Sequence, residues 1–209
     1  MELSTWLAFF LASWAISISP GAGAVAAMSS GLTYGFLRGY NTTLGLVLGI
    51  WLQILVVGVG LGALVAASST AFMSIKWMGA AYLIFLGVQQ WRATPKPLAQ
   101  ESDAGQVKTR GAMVLRGVMI NTVNPKGTVF LLAVVPQFLD LSKPLAPQYL
   151  VIALTLGFTD LVVMAGYTAL AAKVLRTLKS ARHLRNMNRM FGSLFVVAGT
   201  FLAMFKRAA

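Results

Sequence analysis

Six apolar stretches run through the chain, at roughly 3–33, 40–67, 71–91, 112–136, 147–172 and 188–205. Most are long enough to cross the ~30 Å hydrocarbon core of a bilayer, which takes about 20 helical residues. Little is left to face water. Of the 209 residues 57% are apolar and 11% charged, against about 25% charged in an ordinary soluble domain. A soluble enzyme is excluded, because its outer face would have to be polar. Disorder is excluded too, because it needs low hydrophobicity and high charge. In lipid the backbone has no water to bond to, so such stretches fold as helices.

The basic residues set the expected orientation. With six spans, one side of the membrane holds Lys76, Lys143, Lys206 and Arg207. The other holds Arg38, then Arg92, Lys96, Lys108, Arg110 and Arg116, then Lys173, Arg176, Lys179, Arg182, Arg185 and Arg189. The positive-inside bias puts this second side in the cytoplasm and both termini outside. The net charge of +12 is therefore read as topology and contact with anionic lipid, not as a nucleic-acid surface. Glu2 precedes the first stretch and no basic residue comes before Arg38, so that stretch is expected to be a retained helix. There is no cysteine and His183 is the lone histidine, so no disulfide, metal site or cofactor is expected. An intramembrane hydrolase would need a Ser/His pair, two Asp or a metal cluster inside the spans, and an enzyme is not expected.

An internal repeat organises the chain. Pro20 and Pro125 lie 105 residues apart, each after a short polar step: Ser17-Ile18-Ser19-Pro20 and Thr122-Val123-Asn124-Pro125. Leu48-Gly49-Ile50 before Gln53 rhymes with Leu156-Gly157-Phe158 before Asp160, and Lys76-Trp77-Met78-Gly79 with Arg189-Met190-Phe191-Gly192. Each half carries three spans, so the halves must lie in opposite orientations. The expected fold is an all-α membrane protein of six transmembrane helices in two inverted three-helix repeats, with the first and fourth helices broken at Pro. Repeat one covers about 1–91, a cytoplasmic linker about 92–111 and repeat two about 112–209, all in one transporter domain.

Two charges fall near the middle of the apolar stretches. Asp160 lies about 20 Å into the fifth and Lys126 about 21 Å into the fourth, at 1.5 Å per residue. Both depths are near the middle of the core. A carboxylate there is costly to keep ionised unless it is paired, which suits a group that takes up and releases a proton. The same pair suits a zwitterion, and it could also be purely structural. Proline frees carbonyls by lacking an N–H, and Gly21 and Gly23 permit close approach. A half-helix starting after Pro20 would aim its N–H groups at an anion. Asn41, Gln53 and Asn124 could bond a substrate, although such residues more often tie helices together. Pro20, Gly21, Gly23, Asn41, Gln53, Asn124, Pro125, Lys126 and Asp160 are the candidate substrate-binding residues, and Asp160 is the candidate for proton coupling. Gly45-x-x-x-Gly49 suits close helix packing or a homodimer contact.

These motifs carry a likeness to a family. Ser17-Ile18-Ser19-Pro20-Gly21, with Met28-Ser29-Ser30-Gly31-Leu32 and Tyr34-Gly35, resembles the first helix of the LysE/RhtB amino-acid exporters. Lys76 to Leu83 with Leu86-Gly87 resembles their third, and Asn124-Pro125-Lys126 with Pro136-Gln137-Phe138 their fourth. Phe191-Gly192-Ser193-Leu194-Phe195 also fits, and the likeness covers the whole chain in order. One departure is Ala22, where many relatives carry a second proline, and it bears on substrate choice. The resemblance implies a bacterial inner-membrane exporter of small amino acids such as homoserine, homoserine lactone or threonine, driven by the proton gradient. A passive facilitator without ion coupling and a non-transporting assembly subunit are the alternatives.

Overall fold

The computed structural model describes residues 1–67, 69–92 and 109–175, and beyond them residues 185–186, 189, 192–193, 196–197, 200 and 203–204. The linker expected at about 92–111, the basic loop after Lys173 and the stretch 188–205 lie wholly or mostly outside the described residues. Among the described residues there are six α-helices and no strand: α1 Leu3–Ile18, α2 Ala22–Ala67, α3 Ser69–Arg92, α4 Arg110–Thr122, α5 Pro125–Val134 and α6 Leu145–Leu170. Within α2, Ala22–Gly60 is long and apolar enough to cross a membrane, and so is Leu145–Lys173, with mean hydropathies of 2.1 and 1.9. Arg110–Thr122 and Pro125–Phe138 pass the same test as a pair bent by 54°.

The helices carry large apolar side chains on their outer faces and bury polar ones within the bundle. On α6, Leu150, Leu154, Phe158 and Val162 recur every fourth residue and face outward, while Gln148, Thr155, Thr159 and Thr168 are buried. On α2, Leu44, Leu48, Leu52, Leu55 and Val59 form a second outward stripe, with Thr42, Thr43 and Gln53 buried. Water would penalise both stripes, whereas lipid accepts them. This is the arrangement of a membrane protein.

Helix α2 doubles back on itself. Gly35 has φ 72° and ψ 178°, and it separates an arm 22–34 from an arm 36–67. Ser30 and Thr42 share a 2.8 Å hydrogen bond across the hairpin. A Cβ on Gly39 would lie 2.7 Å from the Ser30 backbone, so only glycine lets the arms meet there. The turn is thus tighter than the gap at 34–39 between the first two sequence stretches.

The chain ends of two other helices position the site. α1 stops at Ile18 and the next helix opens at Ala22, with Pro20 between them. α4 stops at Thr122 and α5 opens on Pro125, whose missing N–H costs nothing at a first helical position. The Asn124 side chain accepts from the Lys126 N–H at 3.1 Å and caps α5. Two apolar clusters flank these ends. Phe9, Ile50, Phe130, Leu131, Ile152 and Leu156 belong to one, and Ala24, Met28, Leu46, Met164 and Tyr167 to the other.

Candidate functional site

A cavity of about 50 Å³ lies between the two clusters and touches both helix ends. Its lining includes Ser17, Ser19, Gly21 and Gly23 from the first end, Asn124 and Lys126 from the second, and Asp160 from α6. Leu46, Ile50, Phe130, Leu156 and Met164 supply its apolar wall. A water needs roughly 10–15 Å³ measured this way. The cavity therefore has room for about three to five waters.

Lys126 bridges the first helix end. It stands at the second position of α5, and its Nζ donates to the carbonyl of Ile16 at 3.3 Å and to that of Ser19. Its stem passes Gly21 so closely that a Cβ there would lie 3.1 Å from Cδ. The ammonium thus takes carbonyls left open where α1 stops. Tyr167 takes another, its hydroxyl donating to the carbonyl of Ile18. Asp160 faces the same turn. Its Oδ1 accepts from the Ser17 hydroxyl at 2.6 Å, and Ser17 and Thr159 share a 3.0 Å hydrogen bond.

Gln53 does the corresponding work at the second helix end. Its Nε2 donates to the carbonyls of Thr122 and Asn124, both at 3.2 Å, and to the Thr128 hydroxyl at 2.8 Å. Asn121 donates to the Leu46 carbonyl at 2.7 Å and ties α4 to α2. Both ends are therefore held by side chains from the other half of the chain.

Of the nine residues singled out from sequence, Gly21, Gly23, Asn124, Lys126 and Asp160 line the cavity, and Pro20, Asn41, Gln53 and Pro125 do not. The prolines set the helix ends behind the lining. Asn41 lies near the α2 turn, where its amide donates to the carbonyl of Arg38 at 2.8 Å. Ser17, Thr159 and Tyr167 escaped the sequence reading as site residues. The signal for Ser17 was its place two residues before Ser19-Pro20. For Tyr167 it was helical spacing, two turns beyond Asp160 on one face. Among the described residues no cluster of His, Cys, Asp and Glu could hold a metal ion.

Comparison with known proteins is consistent along the chain. The family profile described as LysE type translocator matches residues 14–205. The homoserine/homoserine lactone efflux protein of Salmonella typhimurium is 39% identical over 208 residues, with 100% of both chains covered. An uncharacterized membrane protein of Vibrio cholerae is 42% identical over 203 residues, covering 97% of this chain and 98% of that one. The leucine efflux protein of Enterobacter sp. is 25% identical over 197 residues, covering 93% and 92%. No solved structure matches.

Proposed function

The chain belongs to the LysE type translocator family, and from that premise we propose that it exports small amino acids across the bacterial inner membrane by proton antiport. Homoserine is the first substrate to try, with its lactone and threonine next, since a full-length relative is named as a homoserine/homoserine lactone efflux protein.

The observation that carries this reading is the cavity between the two helix ends, with Lys126 and Asp160 both on its wall. A zwitterion needs one cationic and one anionic partner. Gly21, Gly23 and Ala24 at the start of α2 lie on the same wall, and a helix start offers backbone N–H groups to an anion. The carboxylate of the substrate docks on these N–H groups and Lys126, and its ammonium on Asp160. Proton uptake by Asp160 from outside removes the anionic partner and favours release. A lactone has no carboxylate, so this site favours the open-chain amino acid over the lactone.

The crosswise capping supports two inverted repeats, about 1–91 and about 112–209, joined by the cytoplasmic linker. Gln53 of the first half holds the α4 end and Asp160 of the second half holds the α1 end. Both follow the segments that the internal repeat matches, Leu48-Gly49-Ile50 and Leu156-Gly157-Phe158. Alternating access then amounts to one repeat rocking against the other around the cavity.

The test is uptake of labelled homoserine into inside-out vesicles with an acid lumen. Accumulation that needs the pH gradient and is blocked by threonine supports the proposal. Equilibration without accumulation would replace it with passive facilitation.

A further inference from the structure

We infer that Ser17 is a positioning residue for proton coupling, carrying the protonation state of Asp160 to the end of α1. The inference rests on Asp160 being the proton carrier, as proposed above. Ser17, Thr159 and the carbonyl of Leu156 form a chain beyond Asp160, with contacts of 2.6 Å to Asp160, 3.0 Å between the hydroxyls and 3.1 Å from Thr159 to Leu156. Thr159 is fully buried and does not line the cavity, so water supplies no spare donor at its end of the chain.

Counting protons separates the two states. Ionised, Asp160 only accepts, so Ser17 commits its single proton to it. Thr159 then has one proton for two acceptors, Ser17 and the Leu156 carbonyl. Protonated, Asp160 donates to Ser17, Ser17 to Thr159 and Thr159 to Leu156, and every contact is filled in one direction. The ionised state draws Ser17 towards the carboxylate by a charge-assisted bond. The protonated state ties Ser17 to the Thr159 turn.

Ser17 sits between Ile16 and Ile18, whose carbonyls are held by Lys126 and Tyr167. A change in its bonding therefore acts on the anchored end of α1. Among the described residues, Lys126 from α5 is the charged group facing Asp160 across the cavity. α2 brings Tyr40 to the neighbouring Leu161 carbonyl at 3.2 Å, and α4 brings Asn121 to the cavity wall.

The experiment is the pH profile of labelled homoserine transport in proteoliposomes, for the unmodified protein and for Ser17→Ala, Ser17→Thr, Thr159→Val and Asp160→Asn. Thr159→Val leaves the protonated chain without its second acceptor, so the pH of half-maximal rate moves towards acid by roughly 0.5–1 unit. Ser17→Ala loses the stronger bond to the ionised form, so its profile moves the other way. Ser17→Thr keeps a hydroxyl and stays near the unmodified profile. Thr159→Val keeps the side-chain shape, and its sign decides the matter if Ser17→Ala does not fold. Unmoved profiles in Thr159→Val and Ser17→Ala, beside an Asp160→Asn that has lost its pH dependence, would overturn the inference alone. An Asp160→Asn with a normal pH profile would overturn the coupling reading and this inference together.

Discussion

Gln53 and Lys126 show what a single polar side chain does in a bilayer. Each reaches from one half of the chain to open carbonyls in the other, in a setting where lipid offers no partner to take their place. Removing such a partner leaves buried acceptors unsatisfied, at about 1–3 kcal/mol. Gln53 Nε2 serves Thr122, Asn124 and Thr128 at once. Gln53→Leu is therefore expected to lower stability by that order, read as an earlier thermal unfolding transition in detergent. An unchanged transition would mean that the α4 end is held by something else. Charged residues in this setting were legible from sequence because an apolar stretch rarely tolerates one. Asp160 and Lys126 were found that way. Ser17, Thr159 and Tyr167 were not, because hydroxyl groups are common in membrane helices and only the packing of α1 on α6 gives these three a common target. Asn41 was polar for a local reason, its bond to the carbonyl of Arg38.

At the level of elements, two connections hold the helices in register. The α2 hairpin turns on Gly35, whose φ of 72° lies where a side chain is strained, although nothing lies within 4 Å of a Cβ there. The cost of Gly35→Ala is therefore purely a backbone cost, about 1–3 kcal/mol. Gly60 also has nothing within 4 Å but sits in a regular helix, where alanine is preferred to glycine. Gly35→Ala should lower the unfolding temperature and Gly60→Ala should not, and equal effects would contradict the assignment of the turn. The connection before α6 is set by Asp140. Its carboxyl accepts from the Ser142 hydroxyl at 2.6 Å and pairs with Lys143 at 3.0 Å. The Ser142 hydroxyl comes first, then Lys143, then the Ser142 N–H, in holding it down at about 2. Asp140 is half-exposed and its pairing is screened by solvent. A depressed carboxyl stabilises the folded turn above its ordinary value near 4, and that contribution disappears as pH falls through about 2. A carboxyl-carbon NMR titration of Asp140 is expected to show a midpoint near 2, and one near 4 would remove the turn's acid dependence. The helices themselves were legible as apolar stretches. The hairpin was not resolved as one turn, because its position depends on a glycine contact between the arms that no window of sequence displays.

For the whole molecule, the governing fact is that large apolar side chains face outward as well as inward. Apolar stripes on α2 and α6 face outward, and a line of hydroxyls, amides and two charges faces inward. That class of fold was readable from composition, and the family from motifs spread across the chain. The cavity between the two helix ends was not, because it depends on Lys126 reaching across to α1. In the export cycle proposed above, the proton step falls on Asp160. The most direct measurement compares two modes of homoserine transport by Asp160→Asn in proteoliposomes, exchange without a gradient and accumulation with an acid lumen. The account predicts that exchange persists, reduced, while gradient-driven accumulation is lost. Accumulation by Asp160→Asn at the level of the unmodified protein would contradict it.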